Sequence, residues 1–540
     1  MFSRRHAALL GTAALLILAS IRPPLLDGVE FSTEVRAQDG TLMRLALTPD
    51  DKYRQFVPLS AISRTLQDAT LLQEDQHFRL HPGVNPVALI NGGIQTYLTG
   101  GRRRGGSTIT MQVARMRYGI QSRHVLGKLW QAVRAVHLEL HYSKNDILEA
   151  YLNLASYGGN LEGVGAASRV YFNQKPEHLT LPQALALTVI PQHPARRRPE
   201  DTQNLQDART RLFVRWAERH PADQAYAALM QLPFEWRPVS QLPFAAPHET
   251  EMLLRAHPGE RVLESTIVPR LQNLVERQTS QHLERFREMG ITNAAVLLVD
   301  LQQMEVVATL GSADFYDDAI DGQVNATRAR RSPGSALKPL VYALAMQEGV
   351  IHPRSLLKDS PTRFGAWNPE NFDGSFAGPI SAHDALIRSR NIPVIALGAQ
   401  LQQPGFHGFL QRAGIPLNPD PRVYGLSLPL GTAEVTLEEV VTLYAMLGNG
   451  GVLRPLRHLR TDPVATGTRL LTADAAWLTL DILKDAPRPL DAQDSTDVAW
   501  KTGTSFASKD AWTVGVVGKY ALGVWLGNCD GKENPALVGI

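Results

Sequence analysis

RRSPGSALKPLVYALAMQ, residues 330–347, reads as a helix that is apolar on nearly every side, yet a serine and a lysine stand in its first turns. Ser332 suits an N-cap and Pro333 the first helical position. No charge appears from Leu340 to Met346, the pattern of a helix buried all round. Ser335 and Lys338 are three apart, so their side chains share a face, roughly 60° from each other about the axis. An ammonium at a helix N-terminus meets the positive end of the dipole and, if buried, loses its water. Both effects favour the neutral amine, which beside a hydroxyl is a general base beside a nucleophile. Taken alone, S-x-x-K reads better as a surface lysine on an ordinary helix.

Working outward, NAAVLLVD (293–300) and EVVATLGS (305–312) precede this helix as β-branched runs, and VAWKTGTSF, AWTVGVVG and ALGVWLGN follow it near the C-terminus. Strands first, helices between and strands last predict one antiparallel sheet assembled from both ends, with helices on its faces. Such a sheet returns Lys501 to the neighbourhood of Ser335. RSRNIP supplies Ser389 and Asn391, and WKTGTS supplies Lys501, Thr502, Gly503 and Thr504. Ser389 and Asn391 suit a proton relay and a grip on an amide. Lys501 and the threonine hydroxyls suit a carboxylate, and Gly503 leaves room for a peptide along the strand edge. Each piece alone is an ordinary turn or cap; together they make a serine acyl-transfer site.

Residues from about 60 to 195 show helical periodicity instead, as in KLWQAVRAVHLELHYSKNDILEAYLNLA. EDQHFRLHPG places Glu74 beside Asp75, followed by Phe78 and His81, and RRGGSTITMQVARM carries Ser107, Thr108, Gln112 and Arg115. A carboxylate pair suits a sugar hydroxyl that must lose a proton, and a glycine, serine and threonine loop beside arginines suits a pyrophosphate. Between about 200 and 290 a polar helix, the proline-spaced WRPVSQLPFAAPHE and an amphipathic helix read as a linker.

The 540 residues allow two to four domains, and a net charge of +3 gives no case for nucleic acid. The arginine runs 102–104 and 196–198 read as solvated loops. One cysteine, Cys529, excludes an internal disulfide. Arg4 and Arg5 precede an uncharged stretch from Ala7 to Ile21, short for a bilayer span. Without a clean cleavage site before Pro23, an uncleaved anchor with its arginines in the cytoplasm is expected over a cleaved signal.

With S-x-x-K, S-x-N and K-T-G-T in that order, and with GGSTITMQVAR, GKLWQAV, SKNDILEAYLN, PQHPARRRP, SLLKDSPTRFG and PENFDGSFAGPIS, the chain from about 60 to 530 resembles the class A bifunctional penicillin-binding proteins, most closely the 1C branch. The resemblance implies a multidomain protein: cytoplasmic tip and anchor at 1–27, a mainly α, lysozyme-like family 51 glycosyltransferase at 28–200, a linker at 201–290, and an α+β transpeptidase at 291–540. It implies that lipid II is polymerised with Glu74 as base, while Asp75, Phe78, His81, Ser107, Thr108, Gln112, Arg115, Lys128 and Gln131 line the sugar and pyrophosphate. It implies acyl transfer from D-Ala-D-Ala by Ser335 with Lys338 as base, aided by Ser389, Asn391 and Lys501, with Thr502, Gly503 and Thr504 on the substrate and an oxyanion hole at the N–H groups of Ser335 and Thr504. Implied partners are nascent glycan, peptide stems, β-lactams as covalent inhibitors, the membrane and other cell-wall synthesis proteins. The implied location is the bacterial inner membrane, single-pass, with both domains periplasmic. The transpeptidase needs no cofactor; a divalent metal such as Mg2+ assists some relatives at the pyrophosphate, though no metal-ligand spacing is visible.

Three departures stand out. Gln131 occupies the place of a second glutamate, a substitution the 1C branch tolerates; an amide cannot carry the charge that steadies a departing sugar, and Glu139, about 12 Å further along the helix, cannot replace it. Met111 stands where many relatives have glutamine. The chain also stops at Ile540, so a truncated sheet lacking part of its cover is expected. A serine β-lactamase shares the acyl-transfer motifs but lacks an E-x-x-x-N loop after Asn391 and has no use for the first domain. A non-catalytic precursor-binding scaffold is the reading from another class.

Overall fold

The computed structural model describes residues 24–85, 107–121, 124–197, 202–488 and 496–538. The stretch read as an anchor, the arginines at 102–104, Gly105 and Gly106 lie outside the described residues. Among the described residues no helix is long and apolar enough to cross a membrane. The chain forms two units, one drawn from 1–34 and 45–243, the other from 35–44 and 244–540. The 201–290 stretch, expected to be a linker, is therefore no separate piece. Its first helix gives Leu205, Leu212, Phe213 and Trp216 to the core of the first unit, and its last gives Leu283 to a cluster of the second. Apolar periodicity within each helix, not the prolines between them, decides the outcome.

The first unit is mainly helical: α1 (Arg64–Glu74), α2 (Ile109–Arg117), α3 (Val125–His141), α4 (Lys144–Leu154), α5 (Val164–Phe172), α6 (Leu181–Val189) and α7 (Thr202–Arg219). The single periodic run at 128–155 is two helices, because Ser143 and Asp146 form a capping box that starts α4 afresh. Helix α4 is buried from Ala150 to Leu154, whereas α3 buries only Gln131, Ala135 and Leu138. Seven apolar side chains of α3, Val125, Leu126, Leu129, Trp130, Val133, Val136 and Leu140, are exposed.

In the second unit, α8 (Pro269–Phe286) precedes β1 (Asn293–Asp300) and β2 (Glu305–Leu310). Then come α9 (Lys338–Gln347), β3 (Leu356–Asp359), β4 (Gly378–Ser381), α10 (Ala382–Ile387), α11 (Asn391–Gln400), α12 (Leu437–Gly448) and α13 (Ala473–Lys484). The chain closes with β5 (Val498–Thr504), β6 (Asp510–Val517) and β7 (Tyr520–Gly527). The five predicted strands form one antiparallel sheet in the order β5-β6-β7-β1-β2, with the nearest-to-C-terminal β7 paired to β1 along its whole length. Alternation sends Ala295, Leu297, Val299, Val514, Ala521 and Trp525 into one core with α9 and α12. Helix α9 is buried from Lys338 to Ala345, and each large apolar side chain so placed contributes about 1.5–3 kcal/mol. On the opposite face Leu283 and Phe286 of α8, with Ala536 and Leu537, cover Ala294, Ala511 and Leu526. Leu298, Trp500, Leu522 and Val524 on that face are only half-buried.

Candidate active sites

The nucleophile turn begins differently from the sequence expectation. Gly334–Leu337 is a single 3-10 turn, and α9 starts at Lys338 itself. Ser332 caps nothing; its hydroxyl donates to the Gly431 carbonyl at 2.7 Å. Two further bonds fix the turn from beneath, Trp512 Nε1 to Ser332 O at 3.0 Å and the Tyr444 hydroxyl to Ala336 O at 2.7 Å. Strand β5 presses directly against it. A side chain on Gly503 would stand 2.2 Å from Pro333 O, and one on Gly334, whose φ is +54°, would stand 2.1 Å from Thr504 O. Gly503 therefore serves the close approach of strand to turn, where the sequence had given it to a bound peptide. β5 is nonetheless an edge strand, with Thr502 and Thr504 partly accessible.

Lys338 is fully buried. Its amine donates to Ser389 O at 2.5 Å and to Asn391 Oδ1 at 2.7 Å, with Ser389 Oγ and Arg390 O further off at 3.3 Å. Among the described residues its bonds run to this loop and not to Ser335 Oγ, although Ser335 is half-buried at the same helix start. Burial, then the charges of Lys501 and Arg390, push the Lys338 pKa well down, while Asp359 opposes them. Burial also lowers Lys501, to about 7; its amine donates to Thr502 O at 2.9 Å. The structure thus gathers Ser335, Lys338, Ser389, Asn391 and Lys501, as the motif order requires.

In the first unit a cavity of about 1590 Å³ is lined by Glu74, Ser107, Gln112, Arg115 and Gln131, all anticipated. Glu74 is the last residue of α1, and its Oε2 accepts from Gln112 Nε2 at 2.7 Å, while Oε1 is buried and has no partner among the described residues. Burial raises its pKa, opposed by the Gln112 hydrogen bond, the nearby Gln192 amide and the charge of Arg197. Lys128 donates to Ser107 Oγ, and burial with the neighbouring Arg115 lowers its pKa.

Other anticipated residues stand behind this wall. Asp75 accepts His81 Nε2 at 3.0 Å on both oxygens, and its Oδ2 accepts the Ile109 N–H at 3.1 Å, tying α1 to the start of α2. Asp75, Phe78 and His81 are buried, and Thr108 is the N-cap of α2, its hydroxyl bonded to Gly83 O at 2.5 Å. These four shape the cavity without lining it, because a buried carboxylate needs donors and Asp75 finds them in protein. Gln131 is buried, with Nε2 donating to Met111 O at 2.6 Å and Oε1 without a partner among the described residues. Glu139 accepts from Thr110 at 2.5 Å and Lys144 at 2.7 Å, so it is committed elsewhere.

Sequence reasoning missed Gln192, Arg197, Tyr151 and Arg215, all but Arg197 on the cavity wall. Arg197, read as part of a solvated run, donates to Val189 O at 2.6 Å and Gln192 Oε1 at 3.1 Å. The signal available was PQHPARRRP, where proline and glutamine interrupt an apolar helix end beside the arginines.

A family model described as Transglycosylase matches residues 39–217, and one described as Penicillin binding protein transpeptidase domain matches 294–528. Penicillin-binding protein 1C of Escherichia coli strain K12 is 36% identical over 507 residues, 92% of this chain and 64% of the relative. Penicillin-binding protein 1B of Vibrio cholerae is 28% identical over 539 residues, 91% of this chain and 68% of the relative. The chain thus spans about two thirds of these relatives' lengths. The crystal structure of penicillin-binding protein 1A from Haemophilus influenzae superposes with a TM-score of 0.56 at 18% identity, covering 94% of this chain and 91% of that one, a likeness of fold. With a helical unit matched by the Transglycosylase model, followed by a unit on a five-stranded antiparallel sheet matched by the transpeptidase model, the chain has the domain content and order of the class A penicillin-binding proteins.

Proposed function

We propose that this chain synthesises peptidoglycan, polymerising lipid II in its first unit and cross-linking peptide stems in its second. The observation that carries the second activity is the buried Lys338 amine held on Ser389 and Asn391 beside Lys501. A neutral amine that donates its two protons to Ser389 O and Asn391 Oδ1 keeps its lone pair for a third partner. A modest swing toward Ser335 lets it take the hydroxyl proton as the oxygen attacks the penultimate D-alanine carbonyl. The proton then passes to the departing D-alanine amine, and a neighbouring stem's amine later displaces Ser335 from the acyl-enzyme. The charged form of Lys501 fits the terminal carboxylate. Labelled penicillin attaches covalently to the wild type and not to Ser335→Ala; labelling that survives this change refutes the nucleophile.

In the first unit, Glu74 has the attributes of a base for the acceptor 4-hydroxyl: a carboxylate whose pKa burial raises, with one oxygen held by Gln112 and the other, among the described residues, without a hydrogen bond. Arg115, Lys128 and Arg197 supply positive charge for the pyrophosphate. The metal expectation finds no support in the donor set, since among the described residues no three His, Cys, Asp or Glu side chains gather and Asp75 is spent on His81 and Ile109; no step here is drawn through a metal. The exposed apolar side chains of α3, with Arg134 stacked on Trp130 and Tyr118, support a location at the membrane face where a lipid-linked substrate resides. Wild-type protein converts lipid II into glycan polymer and Glu74→Gln does not; folded wild type that makes no polymer favours the scaffold reading.

A further inference from the structure

The loop that carries Ser389 and Asn391 is not self-supporting. Ser389 sits at φ +59°, a left-handed conformation that costs free energy for a residue with a side chain and persists only where neighbours impose it. The neighbours converge on one carboxylate, Asp359 at the end of β3, wholly buried. Its Oδ1 accepts Asn371 Nδ2 at 2.7 Å and its Oδ2 accepts the Ala377 N–H at 2.9 Å. Arg390 Nε lies 3.4 Å from Oδ2, close enough for attraction but not aligned as a hydrogen bond. Asn371 then passes the connection on, its Oδ1 accepting the Asn391 N–H at 2.7 Å. The Asn391 side chain in turn donates to Glu370 O at 2.7 Å, which leaves its Oδ1 facing the Lys338 amine. Arg390 is steadied further by Asp373 at 2.9 Å.

We propose that Asp359 is the positioning residue of the acyl-transfer site: through Asn371 and Arg390 it grips both residues that follow Ser389, and so holds the two oxygens on which the Lys338 amine rests. The inference rests on the transpeptidase reading above. A buried carboxylate in such a place is otherwise costly, and it is retained here with two hydrogen-bond donors and a cation. It makes no hydrogen bond to Ser335 or Lys338; apart from its charge, which also acts on Lys338, its hold on the site runs through Asn371 and Arg390.

Asp359→Asn and Asn371→Ala test this in the full chain, with the acylation of Ser335 by fluorescent penicillin resolved into a binding constant and a rate for the covalent step. The expected result is a covalent step slowed about 100-fold in Asp359→Asn, binding changed less than threefold, and a double variant no slower than Asp359→Asn alone. Hydrogen–deuterium exchange over 388–391 rises in both variants. If Asp359→Asn does not fold, Asn371→Ala decides on the same measurements. A folded variant with an unchanged covalent step, or with slow exchange over 388–391, overturns the proposal. A wild type that penicillin does not label overturns the transpeptidase reading instead, and the exchange result then still judges the grip of Asp359 on the loop.

Discussion

Gly503→Ala probes the contact on which the acyl-transfer site is built. The added Cβ would stand 2.2 Å from Pro333 O, 3.0 Å from Ala336 N and 3.1 Å from Ala336 Cβ. Real Cβ contacts do not fall below 3.0 Å, so strand and turn must separate by at least about 0.8 Å. The obstacle is main chain, not the free end of a side chain. The turn is also pinned by Trp512, Tyr444 and Gly431, so β5 moves, carrying Lys501 with it. Overpacking of this kind costs about 1–3 kcal/mol, which a unit with so large a core survives. A shift approaching 1 Å between Ser335 and its partners costs roughly 100-fold in rate. The assay is stopped-flow acylation by fluorescent penicillin with a thermal melt alongside. A folded Gly503→Ala protein that acylates within threefold of wild type would show that the strand and turn need not touch, and the reasoning fails.

Further outcomes follow from the burial of charge. Acylation declines as pH rises through about 7, as Lys501 loses the proton that binds a carboxylate; activity still rising above pH 8 refutes that role. The same lysine has a folded pKa of about 7 against 10.5 unfolded, so between those values the unfolded chain holds the extra proton and stability grows with pH. Lys501→Met therefore raises the Tm more at pH 6 than at pH 10, as calorimetry checks. Glu74→Gln abolishes polymerisation without lowering the Tm at neutral pH, because the carboxylate it replaces is disfavoured by burial; Asp75→Ala lowers the Tm by the equivalent of about 3 kcal/mol, because it strands His81 and the Ile109 N–H. Gln131→Glu loses stability and does not speed polymerisation, since a carboxylate cannot donate to Met111 O; faster polymer growth on gels contradicts this.

Local chemistry was legible in the sequence wherever the determinant is local. The β-branched runs NAAVLLVD and ALGVWLGN announced two strands, and the unbroken apolar run after Lys338 announced a buried helix. The three acyl-transfer motifs named their own residues because each side chain has one chemical task. Only the tertiary structure decided that Gly503 makes room for a backbone carbonyl, that Asp75 and His81 brace the wall behind Glu74, and that Arg197 turns back toward that carboxylate. Asp359 is the extreme case, linked to Asn371 across 12 positions and brought to Arg390 across 31. A carboxylate announces a charge in sequence, but which donors compensate it is settled only when burial removes water and the nearest protein groups take its place.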